Sequence, residues 1–213
     1  MTQIDICKHE GKHVLLVEGK NDCHVILALC KAHGLSEVFG IYQCENDDAV
    51  LKRLNALIVQ PDGPKIIGAV VDADNPNLIS RWQQIKDKLK HHSLIFPEDP
   101  DQKGTVVENN FGKPRLGIWL MPDNQESGML EDFLMRMAVP EAISVSQECV
   151  EIAKQRGVIA FKEAHHSKAV LHTYLAWQDE PGKPLGQSIT SHALRSDTEN
   201  ARAFVAWLKR LFY

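Results

Sequence analysis

The feature that most constrains this chain is a short apolar run, Ile66 to Val71, which leads directly into two aspartates, Asp72 and Asp74. A short apolar run closed by turn-forming residues, here Asn75 and Pro76, predicts a buried β-strand. Residues two apart on a strand share a face, so both carboxylates can converge just beyond its end. In open α/β sheets that carboxyl edge is where ligands bind. The alternative for these residues alone is an exposed, Asp- and Asn-rich turn.

The segments around this run alternate between strand and helix patterns. Two strands are predicted before it, at His13 to Val17 and Val38 to Tyr42, and each is followed by an amphipathic helical pattern. A third helix is predicted over Leu78 to Leu89, with Ile79, Trp82, Ile85 and Leu89 on its buried side. This alternation predicts an α/β fold with a mainly parallel sheet flanked by helices.

Acidic residues follow two other predicted strands. Glu18 comes directly after the first strand, and Asp22 lies at the start of the next helix, where Asn21 or Asp22 could instead be the N-cap. A strand from Leu116 to Met121 is followed by three more acids, namely Asp123, Glu126 and Glu131. Neighbouring carboxylates repel each other unless a proton, a cation or hydrogen bonds compensate. Hard oxygen ligands of this kind suit Mg²⁺ or Mn²⁺.

The remaining segments predict a helical C-terminal part. Thr105 to Glu108 and the following strand form a hairpin or two adjacent strands around a polar turn, Asn109 to Pro114. Helices are predicted over Ile143 to Arg156, from a cap at Ser167 to Trp177, and over Thr198 to Leu211, with a loop over Pro181 to Gly186. The last helix either covers the sheet or forms a homodimer contact. We therefore expect an α/β domain over residues 10–137 and a helical extension over 138–213 packed on the same domain.

Charge and cysteine content limit the partners and the compartment. The formal net charge is -4, so any contact with nucleic acid must be local, metal-bridged or supported by a protein partner. The five cysteines are scattered without a C-x-x-C pair, which predicts reduced thiols rather than a zinc ribbon or disulfide framework. Residues Met1 to Asp5 do not have the pattern of a signal peptide, and no stretch predicts a membrane span. We expect a cytoplasmic protein without a membrane partner.

Three motifs together carry a resemblance to a known family: Leu16 to Gly19, Val70 to Asp74, and Met121 to Glu131. They resemble the Toprim domain of topoisomerases, primases, OLD-family nucleases and small stand-alone Toprim-like proteins. The resemblance covers roughly Val14 to Phe133 and is closest to the stand-alone proteins and the OLD-like nucleases. It implies a Rossmann-like Toprim sheet and a divalent metal ion held by carboxylates. The chain has no P-loop, so an OLD-type ATPase is not part of it.

The resemblance also implies roles for individual residues. Glu18, Asp72 and Asp74 correspond to the core metal cluster, and Asp22 and Glu131 to the carboxylates that nuclease members use for a second metal ion. Asp123 and Glu126 are alternatives to Glu131 as the ligand after the last strand. Lys168, or less favourably Lys162, corresponds to a basic residue that contacts phosphate. The alternative for either lysine is a solvated charge at a helix start.

Three functions follow as hypotheses. The first is a Mg²⁺- or Mn²⁺-dependent nuclease acting on DNA or RNA, in which two cations clamp a scissile phosphate and catalysis depends on Glu18, Asp72 and Lys168. The second is a Toprim-like binding module or subunit of a larger, defence-type complex without independent catalysis, which the negative net charge favours. A phosphotransfer domain is the third and weakest hypothesis. His165 and His166 could form a metal pair, although such loop pairs are more often solvated.

Overall fold

The computed structural model describes residues 5–74, 76–92, 94–108 and 112–213. Asn75, predicted to help end a strand, lies outside these ranges. So do residues 109–111 of the predicted polar turn and residues 1–4 of the segment compared with a signal peptide. Among the described residues, no helix is both long and apolar enough to cross a membrane.

A sheet of five strands in the order β2-β1-β3-β5-β4 forms the centre of the molecule. The strands are β1 (His13–Val17), β2 (Gly40–Gln43), β3 (Ile66–Asp72), β4 (Thr105–Val107) and β5 (Arg115–Met121). All neighbouring pairs are parallel except β4 and β5, which are antiparallel. The predicted α/β class with a mainly parallel sheet is confirmed.

Eight α-helices surround the sheet in the described part of the chain. They are α1 (Lys20–Ala32), α2 (Asp47–Val59), α3 (Leu78–Leu89), α4 (Leu130–Met135), α5 (Pro140–Gln155), α6 (His166–Leu175), α7 (Leu185–Thr190) and α8 (Glu199–Phe212). Helix α7 was not predicted, because its first residues were assigned to a loop. It lies close to α1, where a Cβ at Gly186 would stand 2.6 Å from the His24 carbonyl oxygen. The position of α7 depends on this contact with α1, which the hydrophobic periodicity of the sequence does not encode.

Each face of the sheet has its own apolar core. Helices α2 and α3 cover one face, where Trp82 is buried. Helices α1, α4, α6, α7 and α8 cover the other, where Trp119 meets Phe204 of α8 at 5.1 Å between ring centroids. The C-terminal helices therefore share a core with the strands, and α8 helps to cover the sheet.

Two glycines let α8 lie directly on the sheet. Gly68 of β3 and Gly117 of β5 are partners in the parallel register, so together they leave a shallow depression. A Cβ at Gly117 would lie 2.3 Å from Leu211 Cδ2, and one at Gly68 would lie 3.0 Å from the same atom. A larger residue at Gly117 would displace the Leu211 side chain, and one at Gly68 would also displace Leu15, whose Cδ1 would lie 2.5 Å from the added Cβ.

The buried side of α3 differs from the prediction. Ile79, predicted to pack inward, is 58% exposed, whereas Arg81 is only 3% exposed. Arg81 reaches Asp47 at the start of α2, with 2.7 Å between Nη2 and Oδ2. This ion pair between helices permits the burial of a charge that periodicity placed in solvent.

The expectation that the cysteines are all reduced is wrong for two of them. Cys7 and Cys23 form a disulfide. The segment before β1 runs beside β2, where Gln43 N donates to Cys7 O at 2.8 Å, and this places Cys7 next to α1. Cys30, Cys44 and Cys149 are free thiols.

Candidate functional site

A cavity of about 300 Å³ opens at the carboxyl ends of β1 and β3. It collects side chains from the strand ends and from the starts of α1, α4 and α6. Its titratable lining residues are Glu18, Lys20, Asp22, Glu45, Asp72, Glu131 and Lys168. The structure thus brings together five of the predicted site residues, Glu18, Asp22, Asp72, Glu131 and Lys168.

Glu18 and Asp72 meet because β1 and β3 are adjacent parallel strands that end at the same edge. The Asp72 backbone N–H donates to Glu18 Oε1 at 2.8 Å, and Asp72 Oδ1 accepts from the Leu130 N–H at 3.1 Å. One oxygen of each carboxylate is therefore fixed by a backbone donor. The second oxygen of each has no hydrogen-bond donor among the described residues, so it can bind a ligand.

Asp22 and Glu131 enter the cavity from helix starts. The N-cap of α1 is Gly19, not Asn21 or Asp22 as predicted, and Asp22 occupies the third helical position. Its Oδ2 accepts from the Gly19 N–H at 3.0 Å, which closes the helix start. Asp22 is 7% exposed and Glu131 is 4% exposed. Two buried carboxylates therefore line the cavity together with Glu18 and Asp72.

Lys168 reaches the cavity from α6. Its Nζ lies 3.4 Å from Glu131 Oε1, and its side chain is 48% exposed. Ser167, predicted as a helix cap, is instead inside α6, where its Oγ donates to Asp132 Oδ1 at 2.7 Å. Asp132 Oδ2 in turn accepts from the Met129 N–H at 2.8 Å. This Ser167–Asp132 link ties α6 to the start of α4 and holds Lys168 next to Glu131.

Burial and mutual repulsion make Glu18, Asp22 and Asp72 weak acids. Burial raises the pKa of Glu18 from 4.5 to about 7, with further increases from the charges of Asp22 and Asp47. Burial also raises the pKa of Asp22 from 3.8 to about 6, with a contribution from Glu131. The pKa of Asp72 lies well above its usual range because of burial and then the charge of Glu18. The cavity consequently favours bound protons or a cation near neutral pH.

The other predicted site residues lie elsewhere. Asp74 is exposed and does not line the cavity, although its charge contributes to raising the pKa of Asp72. Asp123 and Glu126 each lie 2.6 Å from Arg136, one at each terminal nitrogen of the guanidinium. The backbone N–H groups of Glu126 and Gln125, and then Arg136, lower the pKa of Asp123. Of the three alternatives after β5, the structure brings only Glu131 into the cavity.

The remaining alternatives among the basic residues are also separate from it. Lys162 is exposed and precedes a short 3-10 turn. His166 Nδ1 is 3.8 Å from Glu151 Oε1 on α5, and His165 is exposed. Neither histidine lines the cavity.

Sequence reasoning missed Glu45 and Lys20 as lining residues. Glu45 follows β2 and has a backbone φ of 88°, a left-handed conformation that is unfavourable for a residue with a side chain. Its N–H donates to the Glu18 carbonyl at 2.7 Å, which extends the pairing of β1 and β2 past their ends. A fourth strand end followed by an acid was visible in the sequence and could have suggested Glu45.

The donor set has the right chemistry for Mg²⁺ or Mn²⁺, since it consists of carboxylate oxygens. Within residues 5–74, 76–92, 94–108 and 112–213, however, no three His, Cys, Asp or Glu side chains are already grouped to hold one metal ion. Metal binding would therefore require the side chains to rotate. The rotation would turn carboxylate oxygens toward one common point, and the four residues concerned are Glu18, Asp22, Asp72 and Glu131.

Comparison with known proteins gives one family. A family model described as "Protein of unknown function (DUF3226)" matches residues 12–213. No curated protein and no solved structure matched the chain.

Proposed function

The chain belongs to DUF3226, a family of unknown function, and we propose from its cavity that it is a Toprim-like, divalent-metal-dependent phosphodiesterase acting on DNA or RNA. One observation carries the proposal. Four buried or half-buried carboxylates, Glu18, Asp22, Asp72 and Glu131, surround one cavity at the carboxyl edge of a parallel sheet, with Lys168 at its rim. The cavity therefore combines carboxylates that can bind a metal ion with a lysine that can bind phosphate.

The carboxylates have a shared task in this proposal. Glu18 and Asp72 each have one oxygen held by a backbone donor, and the second oxygen of each can turn toward a cation. Asp22 and Glu131 supply further negative charge to the same cavity. A Mg²⁺ or Mn²⁺ ion held by these four carboxylates would supply Lewis-acid activation of a water molecule for phosphodiester hydrolysis.

Lys168 positions the substrate in the same scheme. Its half-exposed ammonium group can leave Glu131 Oε1, 3.4 Å away, and pair with a non-bridging phosphate oxygen of the substrate. The lysine is long and flexible, so it can follow the phosphate without disturbing the buried carboxylates.

A second candidate function is a Toprim-like binding module that works within a larger protein complex and does not cut. The net charge of -4 gives no overall attraction to nucleic acid. The absence of three grouped metal ligands among the described residues also favours it. This alternative predicts a stable complex with a separate protein, recoverable by co-purification from the native host.

A nicking assay distinguishes the two. Purified protein is incubated with single-stranded, duplex, nicked and structured DNA and RNA in Mn²⁺ or in EDTA. We expect cleavage in Mn²⁺ only. We also expect its loss in both Glu18→Gln and Asp72→Asn, with the double variant little worse than either, since residues acting as a unit do not contribute additively.

Two further variants serve as comparisons in this assay. Glu126→Gln removes an exposed acid that pairs with Arg136 outside the cavity, so it should cut like wild type. Lys168→Ala should cut more slowly, and its deficit should shrink as salt screens the phosphate contact. Cleavage that is equal in EDTA and Mn²⁺ would refute the metal-dependent mechanism, and no cleavage of any substrate would favour the binding module.

A further inference from the structure

Helix α5 carries a strip of side chains on a face that the described part of the chain leaves open. The helix packs against α6, and its buried residues are Ser146 and Val150. Val145 and Ile152 lie on a different face, and each is 48% exposed. Cys149 lies between them and is also exposed. Val145, Cys149 and Ile152 follow the i, i+4, i+7 spacing of one helix face, and we call them the α5 strip.

The segment around this strip concentrates the exposed apolar side chains of the molecule. Eleven large apolar side chains are exposed among the described residues, and four of them lie on α5 or beside its ends. Those four are Val139, Val145, Ile152 and Val158. Isolated exposed apolar residues are ordinary, whereas apolar side chains that line up on one helix face indicate an interaction surface.

The two ends of the strip carry opposite charges. Glu141 lies in the first turn of α5, and Arg156 is its C-cap, with right-handed helical backbone. Both are exposed, and neither has an ion-pair partner in the described part of the chain. Lys154, on the opposite side of the helix, pairs instead with Glu163 at 2.7 Å. The strip is therefore flanked by one anion and one cation that the described residues leave unpaired.

This pattern is complementary to a second copy of the same helix in antiparallel orientation. A two-fold axis midway between Val145 and Ile152 places each of them opposite the other residue in the second copy. Glu141 lies four residues before the first of them, and Arg156 lies four residues after the second. The same axis therefore places Glu141 opposite Arg156 of the second copy, and symmetry forms this pair twice.

One further charge, Glu148, is exposed on the flank of this face. A two-fold axis exchanges the two flanks of the helices. It therefore places Glu148 opposite Cys149 of the second copy, and not opposite the second copy's own Glu148. The carboxylate stays at the hydrated rim of the contact, so the pairing brings no like charges of α5 together.

We propose that α5 is the contact between two copies of this chain in an antiparallel, two-fold symmetric dimer. Burial of Val145 and Ile152 supplies the attraction, and the two ion pairs fix the antiparallel direction. One helix face per copy makes a small interface, so the dimer should be weak, with a Kd of about 10 μM. The proposal rests on α5 and is independent of the proposed nuclease.

Sedimentation equilibrium of the full chain in EDTA tests the proposal. Wild type should pass from monomer to dimer between about 1 and about 200 μM. Ile152→Glu places a charge in the apolar contact and should weaken dimerisation by about ten-fold or more. Ile79→Glu makes the same change at an exposed isoleucine of α3, so it is the matched control and should dimerise like wild type.

A charge exchange tests the antiparallel register. Glu141→Arg and Arg156→Glu each turn two attractive pairs into two repulsive ones, so each should weaken the dimer about ten-fold. The double variant restores opposite charges across the axis and should dimerise like wild type. A structural effect of either residue within its own chain would not be rescued in this way.

The same register brings the two copies of Cys149 within reach of a short bis-maleimide, since packed helices lie about 8–10 Å apart. Cross-linked dimer should form in wild type and disappear in Cys149→Ser, which keeps the free thiols Cys30 and Cys44. A monomer at every concentration overturns the proposal and leaves this face to a different protein. The proposal is equally overturned by a dimer that Ile152→Glu leaves unchanged, or by one that the double charge exchange does not restore.

Discussion

Replacing Glu18 by glutamine should stabilise the metal-free protein above neutral pH. The folded protein raises the pKa of Glu18 from 4.5 to about 7, chiefly by burial. Ionising this side chain in the folded state therefore costs about 3 kcal/mol relative to the unfolded chain. Glutamine has the shape of the protonated acid and keeps an oxygen for the Asp72 N–H, so the variant avoids this cost.

The pH dependence has a definite sign. Because the folded state holds this proton more tightly than the unfolded state, the stabilisation is fully present below pH 4.5 and is lost as pH rises through about 7. Lowering the pH from about 8 to about 5.5 should stabilise wild type by about 2 kcal/mol through Glu18 alone, or about 5 °C in Tm.

Thermal unfolding of wild type and Glu18→Gln in EDTA across this pH range measures the effect. The difference between the two proteins reports Glu18 together with Asp72, because the Glu18 charge contributes to the raised pKa of Asp72. The variant should be the more stable at about pH 8, and the advantage should disappear toward about pH 4.5. Parallel stability curves for the two proteins, or a variant that is less stable at every pH, would refute the electrostatic account of the cavity.

Two other predictions concern residues around the cavity. Ser167→Ala removes the hydroxyl that donates to Asp132, so nicking should fall several-fold through a higher KM. Ser167→Thr keeps a hydroxyl and should retain activity. Equal loss of activity in both variants would count against the Ser167–Asp132 link. Glu45→Gly relieves the strain of a backbone φ of 88°, so the free energy of unfolding, measured by chemical denaturation, should rise by up to about 1 kcal/mol. The affinity for Mn²⁺ should fall, because the variant loses one carboxylate from the cavity lining. A loss of stability would contradict the assignment of strain at this residue.

The sequence predicted the parts of the fold that depend on local pattern. Helix α3 has its predicted bounds, Leu78–Leu89, because an apolar stripe and an Asn N-cap define it locally. The acidic residues after β1 and β3 were expected at one sheet edge because parallel strands end together. That inference needs only parallel strand directions, which the alternation of strands and helices predicts.

What the sequence could not predict depends on contacts between distant segments. The burial of Arg81 requires Asp47 from another helix, and Ser167 leaves its predicted cap role because Asp132 lies opposite it. The same limit applies to the three acids after β5. Their spacing does not show that Arg136 binds Asp123 and Glu126 and leaves Glu131 to turn inward. The left-handed backbone of Glu45 gave no compositional signal, since glycine is the residue expected there.

The central claim is that Glu18, Asp22, Asp72 and Glu131 form a cation site. Mn²⁺ titration by calorimetry tests it most directly at about pH 8, which lies above the pKa of about 7 for Glu18 and of about 6 for Asp22. Wild type should bind one or two ions per chain and Asp72→Asn should lose binding. Glu126→Gln, whose acid pairs with Arg136, should bind as wild type does. Wild-type protein that binds no Mn²⁺, or an Asp72→Asn variant that binds it as tightly as Glu126→Gln, would contradict the account.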